Sequence, residues 1–261
     1  MTISHIVTGV INWGKTIFVK RFPIEGEEVK VERIIDIPGG KGANVAVASS
    51  RILGRDKVAL FGALGSDFIA DKQLEAPLVT VVDPPIAVAK KLIVMSATNQ
   101  KIVVWAPGLL SSSGIENIMD VIDNVNFLIL NESECSLMSG ICDPLSGCNK
   151  LSVKKNNLGV IVTRGEKGCI FGNNGEVISI PTADLVERGL RKVNTVGAGD
   201  AFIGTFCAMK ILGKDDLESI FLANLSGALK VTKEETRGSP TIDEITEFRN
   251  SVKKIEYRKL L

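Results

Sequence analysis

Four short apolar runs most constrain how this chain can fold: Ile3–Ile11, Lys57–Ala63, Phe127–Leu130 and Leu158–Thr163. Each reads as a buried strand and each stops at glycine or polar residues. Helices are predicted between and after them, over Val45–Leu53, over Ile115–Asn124 with Ser113 as cap, over Leu217 to about Val231, and over Ile242 to about Tyr257. Buried strands alternating with helices imply an α/β fold with a mostly parallel sheet. Ligands of such sheets bind beyond the carboxyl ends of the strands. Asn131–Glu134, Arg164–Gly168 and Gly197–Asp200 all fall there.

Other segments read as exposed or antiparallel strands. Thr16–Lys20 and Val29–Asp36 flank a Pro23–Glu27 turn, and alternation from Val29 to Ile35 gives one wet face. Ile86–Ala97 and Lys101–Trp105 read as a hairpin around Thr98–Gln100. Cys169–Gly172 and Glu176–Ile180 read as another around Asn173–Gly175.

Two glycine-rich loops open helices. In Asn194-Thr195-Val196-Gly197-Ala198-Gly199-Asp200 the glycines precede a small, apolar helical run. A helix start carries unpaired N–H groups and the positive end of the dipole, so it attracts anions. Asp200 in that first turn can take a proton from a hydroxyl attacking phosphorus, or can serve only as a helix cap. The second loop, Pro38-Gly39-Gly40-Lys41-Gly42-Ala43-Asn44, leads into the helix from Val45.

Composition removes several alternatives. The 261 residues suffice for one large domain, and a net charge of +1 gives no reason to expect nucleic acid or membrane as partner. The lone histidine, His5, lies in an apolar run, which excludes His-dependent triads and His-rich metal sites. Five cysteines without a Cys-x-x-Cys pair argue against zinc and for a reducing, cytoplasmic setting. The first residues lack a signal-peptide pattern, and no apolar run reaches membrane-spanning length. A dinucleotide fingerprint after the first strand and a Walker loop are both missing.

The two loops together, Gly39–Ala48 and Asn194–Phe206, resemble the paired signatures of the ribokinase-like, or phosphofructokinase-B, family of carbohydrate kinases. Asn131–Glu134, Thr163–Gly168, Ala223-Asn224 and Pro240-Thr241 add lesser matches, so the resemblance covers nearly the whole chain. It implies a single domain over 1–261: a three-layer α/β/α sandwich with a mostly parallel central sheet and a small β-sheet lid. The lid is expected from about 14–37 and 86–105. Family members often dimerise through that lid, and Trp13, Ile17, Phe18 and Phe22 suit such a contact.

The resemblance also implies residue roles. Asp200 matches the catalytic base, and Gly197, Ala198 and Gly199 match the anion hole. Gly39, Gly40, Lys41 and Asn44 match the sugar-binding loop. Asn131 and Glu134 match the Asn-x-x-Glu motif that organises Mg²⁺ and phosphates, although that spacing is also a helix-capping pattern. Thr163 and Gly165 match the nucleotide-phosphate loop, and Asn224 a position beside the nucleoside. Lys41 can equally be a solvated charge. Arg164 can contact phosphate or extend from a strand end, and Asp67 matches a common acidic position or a helix cap.

Three departures bear on this. Gly14 stands where the family often has a sugar-binding Asp, leaving Asn12 as the nearest substitute. The segments after Phe68 and between Trp105 and Phe127 are short for the family. Asn194 stands where many members carry an Asp that helps form a monovalent-cation site, so potassium activation is not carried over. The reading is an ATP- and Mg²⁺-dependent kinase acting on a hydroxyl of a small sugar. A nucleoside kinase of the same fold, and a catalytically weak sugar- or nucleotide-binding regulatory protein, are the alternatives.

Overall fold

The computed structural model describes residues 2–62, 78–82, 86–252 and 257–260, with side chains described except at 12–14, 36–38, 78–82, 86–89 and 258. Among these residues the main sheet takes in β1 (His5–Gly9), β4 (Val58–Phe61), β5 (Leu78–Val82), β6 (Ile102–Ala106), β7 (Phe127–Asn131), β8 (Gly159–Thr163), β9 (Cys169–Asn173), β10 (Glu176–Ile180) and β11 (Arg258–Lys259). Its order is β11-β10-β9-β8-β7-β6-β5-β1-β4. Pairing is parallel from β4 to β8 and antiparallel from β8 to β11.

The central strands have apolar residues on both faces, and the strand period of two sends neighbours to opposite layers. Val103, Trp105, Leu128, Leu130, Val160 and Val162 pack on one side with α4 (Glu132–Ser139) and α5 (Pro144–Ser152). Val104, Ile129 and Ile161 pack on the other with α1 (Lys41–Leu53), α6 (Ala198–Ile211) and α7 (Asp216–Lys230). The result is the expected α/β/α sandwich. A third cluster seats α8 (Ile242–Ser251) against α7 through Ile245, Phe248, Phe221 and Leu225.

Of the two segments expected to build a lid, only the first forms a sheet of its own. β2 (Asn12–Val19) and β3 (Val31–Gly39) form a separate antiparallel ribbon. The second predicted lid segment corrects to α2 (Ile86–Thr98) followed by β6, which lies parallel inside the main sheet. Ile86–Thr98 lacks strict polar–apolar alternation and is rich in Ala, Lys, Leu and Met, all strong helix formers. The expected hairpin turn instead ends α2, with Gln100 at φ 56°.

Two helix boundaries also change. Gly114, at φ 73°, stands between Ser113 and the predicted 115–124 helix. A 3₁₀ turn over Ile115–Ile118 precedes a short α3 (Met119–Ile122), and Ser113 does not cap it. The last helix stops at Ser251, and Arg258–Lys259 turn back as β11 beside β10. Asp67 lies outside the described residues.

Candidate active site

The site begins with close packing between α1 and α6. Gly204 lies so near α1 that a Cβ there would sit 2.5 Å from the Ala48 Cβ and 2.7 Å from Val45 O. Ser49 Oγ donates to Gly204 O at 2.9 Å. One turn back from Ala48 stands Asn44, and one turn back from Gly204 stands Asp200. There the Asn44 Nδ2 donates to Asp200 Oδ2 at 2.7 Å, across 156 residues of sequence. Two helix starts therefore meet side by side, with a carboxylate between them.

Each start has its own device. Lys41–Asn44, read from sequence as loop, form the first turn of α1, because Asn44 N bonds back to Gly40 O. Gly40 takes φ 98°, and a Cβ there would be 2.2 Å from Val10 O, so the loop is seated at the carboxyl end of β1. This is next to β5, where the strand order reverses, the usual ligand crevice of such sheets. Gly197 caps α6 at φ 87°, and a Cβ there would be 2.3 Å from Thr236 O. Both positions exclude a side chain on steric grounds.

The loop before α6 is held from behind by the segment after α7. Val193 N and Asn194 N bond to Val231 O, Asn194 Nδ2 donates to Glu234 O at 2.6 Å, and Val196 N donates to Asn194 Oδ1. Gly199 is exposed, with nothing within 4 Å of where its Cβ would be, so the helix start opens on free space. The Ala198 N–H bonds to Thr195 O at 3.2 Å. Ala201 N bonds to Gly197 O, so the first-turn amides precede the regular ladder.

Sequence reading missed Arg237. Its Nε donates to Asn44 Oδ1 at 3.2 Å and its Nη2 to Gly39 O at 3.0 Å. Arg237 thus fixes the Asn44 amide with its nitrogen toward Asp200, and both polar ends of Asn44 are engaged within the protein. Burial lowers the guanidinium pKa from its ordinary value. Nothing in Glu235–Gly238 marks the residue, since an Arg in a polar segment is unremarkable.

Asn131, Glu134, Thr163 and Gly165 lie along the same sheet edge, at the ends of β7 and β8. Asn131 and Glu134 form both arms of a capping box, with Glu134 N to Asn131 Oδ1 at 2.8 Å and Asn131 N to Glu134 Oε2 at 2.9 Å. Arg164 Nε pairs with Glu132 Oε1 at 3.1 Å. Thr163 Oγ1 donates to Leu130 O at 3.2 Å, and Gly165 turns at φ 56° beside open space. Asn224 is buried, its Nδ2 directed at Ile180 O and Cys169 Sγ. Burial pushes the Cys169 thiol up to about 12. Lys41 is exposed at the start of α1. Asn12 pairs through its backbone with Gly39, which places it beside the sugar-loop candidates; its side chain, like that of Trp13, is outside the described set.

A family profile described as pfkB family carbohydrate kinase matches residues 7–76 and 80–242. The chain belongs to this family. Both glycine loops, Asn44 and Asp200 lie within the matched residues. The deoxyribokinase of Salmonella typhi is 24% identical, over 88% of this chain and 94% of its own. Arabidopsis thaliana ribokinase complexed with ribose and ATP has a TM-score of 0.76 at 19% identity, covering 95% of this chain and 98% of that one. Burkholderia thailandensis nucleoside kinase in complex with inosine has a TM-score of 0.72 at 17% identity, covering 95% and 98%. This pfkB chain therefore shares the ribokinase fold.

Proposed function

We propose that this pfkB-family protein is an ATP-dependent kinase that phosphorylates a hydroxyl of a small sugar, with Asp200 as the base. The Asn44–Asp200 hydrogen bond carries the reading, because it joins the two signature loops at one point. A carboxylate held at a helix start lies where a hydroxyl can be deprotonated beside an anion. Asp200 takes the hydroxyl proton as the oxygen attacks the γ-phosphorus. The new O–P bond forms as the bond to the β-phosphate oxygen breaks, and ADP leaves. The first-turn amides of Gly197, Ala198 and Gly199 meet the charge spread over the transferred group. Ala198 serves fully only when its bond to Thr195 O is given up.

ATP would lie across the sheet edge near Asn131, Thr163, Gly165 and Asn224. The acceptor would lie near Asn12, Gly39, Gly40, Lys41 and Asn44. Mg²⁺ binding would draw on Glu134, whose second use is the capping box. Among the described residues no three His, Cys, Asp or Glu side chains gather into a metal cluster. One carboxylate with waters and nucleotide phosphates satisfies the oxygen-loving Mg²⁺. When bound, the ion neutralises phosphate charge.

A ribbon face bearing Ile17, Val31 and Ile34, each more than 40% exposed, supports a homodimer formed through the lid. Five free cysteines support a cytoplasmic setting, and no helix among the described residues is long and apolar enough to cross a membrane. Nucleoside kinase is the second reading, because the inosine-bound kinase shares the fold over the same share of this chain, 95%, as the ribose-bound one.

The test is ATP consumption against a panel of pentoses, hexoses, sugar acids and nucleosides, with Asp200→Asn alongside. Turnover with a sugar, lost in the variant, supports the proposal. Preference for a nucleoside selects the second reading. Binding of sugar and ATP without turnover makes the chain a binding protein.

A further inference from the structure

Lys230, the last residue of α7, has none of its surface exposed, yet it sits in a helix whose neighbours are apolar. It lies seven residues after Ala223 and four after Ser226, on the buried face, which is the signal that sequence reading passed over. Its Nζ donates to Asn194 O at 2.8 Å, in the loop that Gly197 ends. Asp200 and Glu235 are the carboxylates whose charge acts on it. A buried ammonium is costly unless it is paired and hydrogen-bonded, so its retention there calls for a reason.

The same place is where the family resemblance puts a monovalent-cation site, and the donors here do not suit one. Position 194 is an amide, not a carboxylate. Its Oδ1 accepts from Val196 N, its Nδ2 occupies Glu234 O, and its backbone oxygen takes the Lys230 ammonium. The oxygens of Asn194 and the Glu234 carbonyl are therefore already engaged within the chain.

We infer that the Lys230 ammonium is a resident cation that holds the 194–197 loop in place behind Asp200, so that this protein works without a bound monovalent metal ion. Lys230 is a positioning residue, acting through Asn194 and the loop rather than on substrate. Burial lowers its pKa to about 8, with Glu235 and Asp200 opposing the fall, so the ammonium persists at neutral pH and is lost in mild alkali.

The inference rests on the kinase reading for its rate arm and stands free of it in its melting arm. Melting temperature is compared in about 100 mM KCl and in equal tetramethylammonium chloride, so that ionic strength is constant. Wild type should melt alike in both, and a K⁺-specific rise in wild type overturns the inference whether or not the chain is a kinase. Lys230→Met should melt lower, and Lys230→Arg should recover most of the loss. Equal melting of Lys230→Met and wild type overturns it too.

With the acceptor in hand, wild-type rate should be indifferent to K⁺ and fall above about pH 8, a limb that Lys230→Arg moves upward. Lys230→Met should lose roughly 10- to 100-fold in kcat, at a temperature where it is folded, with KM little changed. Wild-type kcat in folded Lys230→Met would reduce Lys230 to a core side chain and overturn the inference. A chain that turns over no acceptor rejects the kinase reading and leaves the melting arm to decide.

Discussion

The paired starts of α1 and α6 and the β2–β3 ribbon are built on opposite terms. At the helix starts, contact is backbone-close and buried: Gly204 against Ala48, Ser49 to Gly204 O, Asn44 to Asp200. In the ribbon, Ile17 and Ile34 face each other across the strands and each is 54% exposed. A two-stranded sheet is marginal by itself. Its ties to the body include Arg237 to Gly39 O and the exposed Arg33–Glu234 pair at 3.6 Å, and an exposed pair stabilises little. On the proposed kinase reading, the difference follows from the work asked of each region. Proton and phosphoryl transfer need distances fixed to fractions of an ångström. An acceptor must enter, and a thinly buried segment opens at low free-energy cost.

The sharpest way to break the contrast is to remove the charge the helix starts enclose. Asp200→Asn keeps shape and should lower acceptor-dependent ATP consumption by about 10³-fold. Its melting temperature should shift by only a few degrees. Wild-type turnover in this variant would end the base assignment. Next in size is the packing itself. Gly204→Val should destabilise by about 3 kcal/mol, because neither the Ala48 Cβ nor Val45 O can withdraw without moving α1. Urea unfolding measures it, and a loss under 1 kcal/mol would mean that the helices slide apart freely.

Much of this region was legible in the sequence because glycine is dictated there by close approach. Gly40, Gly197 and Gly204 all lie where a Cβ meets another backbone or side chain, and all three lie in the paired signatures Gly39–Ala48 and Asn194–Phe206. The Asn44–Asp200 bond itself was not legible, since no spacing encodes a contact across 156 residues. Arg237 and Lys230 were invisible for a related reason. Each acts on a loop distant in sequence, and each looks locally like an ordinary charge. In the other region, the 12–39 ribbon could be read from its polar alternation. The Ile86–Ala97 half of the second segment was misread because an apolar run does not distinguish a strand from a buried helix, and only its helix formers favoured the right answer, whereas the strand read over Lys101–Trp105 is present as β6.

The sheet that carries the helix starts should also differ from the ribbon in its response to pH. His5, buried in β1, has its pKa lowered to about 3 by burial, against an ordinary 6.5. The unfolded chain therefore binds more protons between those values, and stability falls as pH drops through that window. From pH 7 to pH 5 the loss from His5 is about 2 kcal/mol, and His5→Asn should remove most of that slope in urea titrations. A slope unchanged in the variant would place the acid sensitivity elsewhere in the body.

The smallest expected effect lies in the ribbon. Arg21 and Glu27 pair at the turn between β2 and β3, and the guanidinium holds the Glu27 carboxyl below its usual range. Both side chains are open to water, so the pair should add nothing measurable to unfolding free energy. Ile17→Ser with Ile34→Ser likewise removes no buried contact from the body and should change unfolding by under about 0.5 kcal/mol. If the ribbon closes over the acceptor, the same double variant should raise KM for the acceptor while leaving that for ATP alone. If it joins two copies, the variant should shift sedimentation toward the monomer. A large loss of stability from these two surface changes would mean that the ribbon is as firmly built as the helix starts, and the division between fixed and yielding regions would fall.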